Sequence, residues 1–151
     1  MDGRLRPDVE LLHRLTRRQL DALRAVEGEE TEGRGAPLYR IAHRLGVSAP
    51  AALEHLGPLE ALGLIERRRG KSRLTLRGRS CLVEYGRHHR VAERLFGRLG
   101  FSPEAACGAA REVDLALSHR TVERLCAAEG HPSVCPHGEA IPPCGSRRGG
   151  A

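Results

Sequence analysis

At 151 residues, the chain has room for one domain of ordinary size or for two small units. Apolar residues make up 40% but aromatic residues only 3%, so Leu, Val and Ala must build the core, which suits packed helices. No apolar run approaches the roughly 18 residues of a membrane span, and the N-terminus lacks the apolar core of a secretory signal. We therefore expect a cytoplasmic protein with no membrane partner.

The net charge of +6 is concentrated in one segment. Seven basic residues and no acidic one lie between Arg67 and Arg79, whereas five basic residues face six acidic ones from position 101 onward. A local cationic block in a small protein favours contact with nucleic-acid phosphates, with a solvated loop as the alternative.

Three helices are predicted in the first half of the chain. Thr16 is an N-cap for the first, and the second covers residues 38–45 and is stopped by Gly46. The third starts at Ser48 or Ala49, with a proline in its first turn.

Two short strands, 64–66 and 73–76, are predicted around the basic block. Helices followed by a basic hairpin are typical of a winged helix-turn-helix, in which the second helix of the pair enters the major groove and the hairpin contacts phosphates. We assign residues 15–79 to this DNA-binding domain and residues 1–14 to an N-terminal extension.

The second half is predicted to be all helical, which makes the fold mainly α. A long helix covers residues 77–99, and Ser102 and Ser118 are N-caps of two further helices. This domain, residues 80–142, is too short to bury a large core, so pairing with a second copy is expected. Residues 143–151 are expected to be a disordered tail.

Thiols and histidines in the second half indicate metal or redox chemistry. His89 and Glu93 are four residues apart, so they share one helix face and suit a divalent transition-metal ion, with an ordinary polar pair as the alternative. The stretch "HPSVCPHGEAIPPC" contains Cys135 and His137, either as a ligand pair or as parts of a turn.

Three segments together resemble the diphtheria toxin repressor/manganese transport regulator family. They are "LTLRG" (74–78), "RHHRVAERL" (87–95) and "GHPSVCPHGEAIP" (130–142), in this order and spacing. The resemblance implies a homodimeric, cytoplasmic DNA-binding repressor that a divalent metal switches, and it implies no enzyme activity. No nucleophile–base motif or phosphate loop is present in the sequence.

The resemblance also implies metal ligands. His89, Glu93, Cys135 and His137 align with ligand positions, and Cys107 falls where some members carry a further histidine ligand. The cofactor is expected to be Fe, Mn or Zn, and a thiolate in the set favours Zn or Fe over Mn.

The family's primary regulatory site looks degraded in this sequence. Arg18, Arg111 and Leu115 stand at three of its ligand positions, and Asp114 alone keeps a side chain able to bind a metal. Arginine stays charged and has no free lone pair. Our hypothesis is that the two arginines supply the charge that the metal once supplied, and the alternative is plain loss of the site.

The same alignment places the operator contacts on the third helix and on the basic hairpin. Pro58 in that helix is expected to bend or end it, and the carboxylate of Glu54 replaces a neutral donor. The candidate DNA contacts are Ser48, Pro50, Ala51, Glu54, His55, Arg67, Arg68, Arg69, Lys71 and Arg73.

Two other readings stay open. One is a metal-independent winged-helix protein or a thiol-based redox switch on DNA, in which Cys107, Cys126, Cys135 or Cys144 responds to oxidant and Cys144 is the natural resolving partner. The other is a metal-binding or dimerisation protein that has lost DNA recognition.

Overall fold

The computed structural model of the chain describes residues 11–31 and 33–144. Most of the predicted N-terminal extension and of the predicted tail lies outside these residues. The chain divides into two compact units, one up to Leu82 and one from Val83. The mainly helical class is confirmed, with six α-helices and a small three-stranded sheet in the described part.

The first unit contains three complete helices and the sheet. A short 3-10 helix, Leu12–Arg14, comes first, and Leu11 and Leu12 beside it are fully buried. The sheet has the order β1-β3-β2 and is antiparallel. The elements are α1 (Arg17–Glu29), β1 (Ala36–Pro37), α2 (Leu38–Leu45), α3 (Ala49–Ala61), β2 (Ile65–Arg68) and β3 (Lys71–Leu74).

Helix starts follow the capping residues that the sequence predicted. Thr16 and Gln19 form a reciprocal capping box at α1. The hydroxyls of Ser48, Ser102 and Ser118 each accept a hydrogen bond from the backbone N–H three residues later. The described helices therefore begin where the sequence placed them.

Helix α3 does not end at Pro58. It continues to Ala61, and the N–H of Leu62 donates to the carbonyl of Pro58. The buried residues Leu56 and Leu59 hold both sides of the proline in the core of the first unit. Of the two outcomes expected at Pro58, a bend or an end, the end was wrong, because packing maintains the helix despite the one hydrogen bond that proline cannot donate.

The basic hairpin is longer and tighter than predicted. Its strands extend to Arg68 and start again at Lys71, with Arg68 paired with Lys71. Arg69 and Gly70 have φ of 50° and 73°, the positive values that a two-residue hairpin turn of type I′ requires. Strand pairing thus includes residues 67, 68, 71 and 72, which lie between the two predicted strands.

Helix α4 (Leu76–Arg98) begins in the first unit and continues into the second without a break at Gly86. Gly78 in its first turn is needed there, since a Cβ would lie 2.1 Å from the carbonyl oxygen of Leu64. The second unit adds α5 (Pro103–Val113) and α6 (His119–Ala128). Its buried cluster consists of Val91, Val122, Cys126, Cys135, Ile141 and Cys144.

Candidate metal centre and nucleic-acid interface

Helix α4 presents His89 and Glu93 on one face, as the spacing predicted. The Nε2 atom of His89 lies 3.6 Å from Oε1 of Glu93. Glu93 is only 2% exposed. A buried carboxylate requires a cation or hydrogen-bond donors around it, so its surroundings determine what the site can bind.

Cys107 on α5 faces the same pair. Its Sγ atom lies 3.5 Å from Nε2 of His89. The ligand atoms of His89, Glu93 and Cys107 all lie within 4.8 Å of one another. The structure therefore brings these three predicted residues together.

Cys135 and His137 reach Glu93 from the proline-rich segment. Nδ1 of His137 lies 3.1 Å from Oε1 of Glu93, and the ligand atoms of Glu93, Cys135 and His137 also lie within 4.8 Å of one another. A turn holds the segment, since Cys135 N–H donates to the carbonyl of Glu139 and Gly138 N–H donates to that of Cys135.

Glu93 thus belongs to two donor groups at once. Together they offer two imidazoles, two thiols and one carboxylate within a small volume. This donor set fits Zn²⁺ or Fe²⁺, which accept sulfur, nitrogen and oxygen ligands. The residues present therefore fit the kind of ion that the family uses.

The thiol of Cys107 is not poised for oxidation. Burial and the neighbouring Glu93 carboxylate raise the pKa of Cys107, and the positive charge of Arg111 opposes them only in part. A raised pKa lowers the thiolate fraction, and the thiolate is the form that oxidants attack.

Asp114, predicted as the remaining ligand of the primary site, contacts His89 of the Glu93 site in the structure. Its Oδ2 atom is 2.9 Å from Nδ1 of His89 and accepts a hydrogen bond of 2.9 Å from the Tyr85 hydroxyl. The residue is fully buried. Asp114 therefore orients the imidazole of His89, with Nε2 directed toward Cys107 and Glu93.

The two arginines of the hypothesis lie on different units. Arg18 is exposed on α1 of the first unit, and Arg111 is exposed in the last turn of α5 in the second. Arg111 precedes Asp114 by three residues, so the two share one side of that turn.

A further carboxylate–histidine group was missed. Oε1 of Glu84 lies 2.9 Å from Nε2 of His88 and 2.6 Å from Nδ1 of His119. Burial alone would raise the pKa of Glu84, but hydrogen bonds from both histidines and the charge of Arg87 lower it to about 2. The signal was available, because Glu84 and His88 have the same four-residue spacing as His89 and Glu93.

The predicted reading face of α3 is accessible in the first unit. Pro50 and Glu54 are exposed, and Ala51 and His55 are half-buried. The Ser48 hydroxyl accepts the Ala51 N–H and so caps the helix. The helix start that a winged helix-turn-helix directs at base edges is therefore open to solvent.

The basic hairpin divides into anchored and exposed cations. Arg67 pairs with Glu60 at 3.4 Å, and the Arg73 guanidinium donates to the carbonyl of Gly33. Arg68, Arg69 and Lys71 are exposed. A cleft of about 380 Å³ opens beside them, lined by Gly33, Arg34, Gly35, Glu66, Arg68, Arg69, Lys71 and Arg73.

No helix in the described part of the chain is both long and apolar enough to cross a membrane.

Two families of domains match the chain in succession. Residues 12–74 match the LexA DNA binding domain, and residues 75–143 match "Iron dependent repressor, metal binding and dimerisation domain". Neither description is that of an enzyme, in agreement with the prediction. Both matches meet near the start of α4.

Curated relatives point the same way. The iron-dependent repressor IdeR of Mycobacterium leprae is 30% identical over 122 residues, which are 80% of this chain and 53% of the relative. IdeR of Mycobacterium tuberculosis shows the same identity and coverage. The chain thus spans about half the length of the curated relatives it matches.

Solved structures share the fold. A hypothetical protein of Sulfolobus solfataricus superposes with a TM-score of 0.79 at 29% identity, covering 85% of this chain and 99% of that one. The manganese regulator SloR gives 0.69 at 28% identity, covering 85% and 60%. ScaR with bound Zn²⁺ gives 0.71 at 28% identity, covering 82% and 59%. Together with the two matched domains, these likenesses confirm the predicted resemblance to the diphtheria toxin repressor/manganese transport regulator family of metal-dependent regulators.

Proposed function

We propose that the chain is a homodimeric, metal-responsive transcriptional repressor that senses its ion at Glu93. In this proposal residues 15–79 bind operator DNA, and residues 80–142 bind the metal and form the dimer. A repressor of this kind works where its operator lies, in the cytoplasm.

The observation that carries the proposal is that two donor groups share the Glu93 carboxylate. His89 and His137 both lie against its Oε1 atom, and Cys107 and Cys135 complete the two groups. An ion held there would supply positive charge to a buried carboxylate and tie α4, α5 and the proline-rich segment together. Asp114 would keep the His89 imidazole in the tautomer that ligates through Nε2.

The donor set favours Zn or Fe over Mn, because two of the five donors are thiols. Relatives and neighbours of this chain carry names that mention iron, manganese and bound zinc. Among these three metals, the two thiols of this chain favour the softer ions, Zn or Fe.

The DNA partner is supported by the exposed cations of the hairpin, Arg68, Arg69 and Lys71, and by the accessible start of α3. A dimer is supported by apolar side chains that the second unit leaves exposed. Val83 is 56% exposed, Leu99 66% and Phe101 45%. Sedimentation of the full chain tests this part, and a monomer at micromolar concentration would contradict it.

We further propose that Arg18 and Arg111 replace the primary-site metal, so that some operator binding needs no ion. Both arginines are exposed, and Arg111 lies one helical turn before Asp114, the one side chain at these positions that can bind a metal. The test is operator binding in chelator. Collapse of binding, with full recovery on adding Mn²⁺ or Fe²⁺, would show that the arginines do not substitute for metal.

A thiol switch is the less favoured function. Cys107 has a raised pKa, and Sγ of Cys144 lies 3.1 Å from Nδ1 of His131. If this alternative holds, oxidant should release the wild-type protein from DNA, and the Cys144→Ser protein should stay bound. Equal responses of the two proteins would exclude Cys144 as the resolving thiol.

The main experiment is fluorescence anisotropy with DNA from the protein's own promoter region. We expect Fe²⁺ or Zn²⁺ to tighten binding at least tenfold over the chelated protein. An affinity independent of metal would contradict a metal-responsive repressor.

A further inference from the structure

A third set of metal-type donors lies in the second unit, apart from Glu93. Sγ of Cys126 is 3.6 Å from Nδ1 of His131, and that nitrogen is 3.1 Å from Sγ of Cys144. All three ligand atoms lie within 4.8 Å of one another. The three residues come from α6, from the turn after it and from the far end of the proline-rich segment.

The backbone around this set is well defined. His131 N–H donates to the carbonyl of Cys126 at 2.8 Å, so the imidazole follows directly on the end of α6. His131 adopts φ of 54°, a conformation that costs energy for a side chain of this size. The interactions that hold the imidazole between the two sulfur atoms must offset that cost.

The proline-rich segment returns its end to the same place. Val134 and Ala140 form an antiparallel bridge, and Ile141 N–H donates to the carbonyl of Ser133. The segment therefore folds back on itself, and Cys144 reaches the histidine from which the segment starts.

The distances are those of a tetrahedral zinc site. Zn–S bonds of about 2.3 Å and Zn–N bonds of about 2.0 Å place sulfur atoms about 3.8 Å apart and sulfur about 3.5 Å from nitrogen. The observed separations of 3.6 and 3.1 Å bracket the sulfur–nitrogen value, and the two sulfur atoms lie within 4.8 Å of each other. Three protein ligands leave the fourth corner of the tetrahedron for water.

Charge and burial fit the same ion. Cys126 is 3% exposed and Cys144 is 2% exposed. Two thiolates within 4.8 Å of each other repel, and the Arg87 guanidinium beside Cys126 offsets this only in part, because burial and Cys144 still raise the pKa of Cys126. Two thiolates, a neutral imidazole and a divalent ion form a group with no net charge of its own. A softer divalent ion is therefore the ligand that this set accepts at least cost.

We propose that Cys126, His131 and Cys144 bind a second ion, Zn²⁺, that fastens the end of the proline-rich segment to α6. This site goes beyond the proposed function, because it shares no residue with the groups at Glu93. Binding releases the two thiol protons and leaves both sulfurs as thiolates on the metal.

The test uses Co²⁺ as a spectroscopic substitute for Zn²⁺ on the reduced full chain carrying Glu93→Gln, Cys107→Ser and Cys135→Ala. That background removes the shared carboxylate and both thiols of the other groups, so cobalt–thiolate absorption does not depend on the proposed sensor. We expect one Co²⁺ per chain, with the near-ultraviolet absorption of cobalt–thiolate bonds. Adding Cys144→Ser should remove this absorption, and adding Cys81→Ser, in the first unit, should leave it unchanged.

His131→Asn gives a variant that should still fold, because asparagine tolerates the positive φ. It should weaken Co²⁺ binding at least tenfold while the helical circular dichroism is retained. Three outcomes would each overturn the proposal. The background protein could lack thiolate–cobalt absorption, or the absorption could persist after Cys144→Ser is added. The third is a Cys126–Cys144 disulfide in protein isolated under reducing conditions.

Discussion

Nδ1 of His89 lies 2.9 Å from the buried carboxylate of Asp114, which also accepts the Tyr85 hydroxyl. The resemblance makes Asp114 a candidate ligand of the primary site, and in the second unit its carboxylate contacts His89, a candidate ligand of the Glu93 site. Such a partner fixes the tautomer and the ring orientation of a metal-binding imidazole.

Asp114→Asn should therefore weaken metal binding about 10- to 100-fold without removing a ligand. The amide has the same shape but loses the charge that favours a proton on Nδ1. Competition with a chromophoric chelator measures the affinity. Tyr85→Phe is the matched control and should have a smaller effect, because it leaves the carboxylate on His89. Equal affinities of wild type and Asp114→Asn would show that His89 needs no such partner.

Gly97→Ala should weaken the part of the site that the proline-rich segment supplies. The new Cβ would lie 3.1 Å from Cγ of Pro136, which stands between Cys135 and His137. Displacing that proline moves both donors, so we expect a several-fold loss of metal affinity. Gly108→Ala on α5 meets nothing within 4 Å and should retain wild-type affinity. Equal metal affinities of the two variants would refute this role of Gly97.

Arg69→Asn should reduce DNA binding without loosening the hairpin. Asparagine accepts the φ of 50° at this turn position, so the fold of the hairpin is kept. Each phosphate contact that is lost reduces the magnitude of the negative slope of log K against log salt by about 1. Anisotropy at several salt concentrations measures the slope. An unchanged slope with weaker binding would mean that Arg69 contacts no phosphate.

Glu84 should give the second unit an acid-dependent stability. The folded pKa of Glu84, about 2, lies below the ordinary value of 4.5, so the unfolded carboxyl takes up its proton at higher pH. The stabilisation is therefore complete above about pH 5 and is lost as the pH falls toward 2. Two to three pKa units correspond to about 3 kcal/mol. Denaturant unfolding gives the free energies of unfolding of wild type and Glu84→Gln. Their difference should be largest near neutral pH and should vanish near pH 2. A difference that grows on acidification would show that the Glu84 carboxylate is not its source.

The sequence predicted most of what local chemistry determines. Thr16, Ser48, Ser102 and Ser118 mark helix starts because a hydroxyl at an N-cap satisfies a nearby N–H, whatever the rest of the chain does. The pair His89 and Glu93 was also predictable from local geometry, because a four-residue spacing places both side chains on one face of a helix.

Tertiary contacts determined the rest. Pro58 stays inside α3 because Leu56 and Leu59 are buried on either side of it, which helix propensity does not include. The group of Cys126, His131 and Cys144 forms only when the proline-rich segment folds back, a path that spacing does not specify. Asp114 could not be separated from the ligands by alignment, because a ligand and the residue behind it carry the same kind of side chain.

The most direct measurement is operator affinity against free metal concentration for wild type and Glu93→Gln. Because Glu93 belongs to both donor groups, its amide should leave the affinity at the value of the chelated wild type at every Fe²⁺ or Zn²⁺ concentration, with helicity unchanged. A Glu93→Gln protein that keeps the full metal response would contradict sensing at this carboxylate.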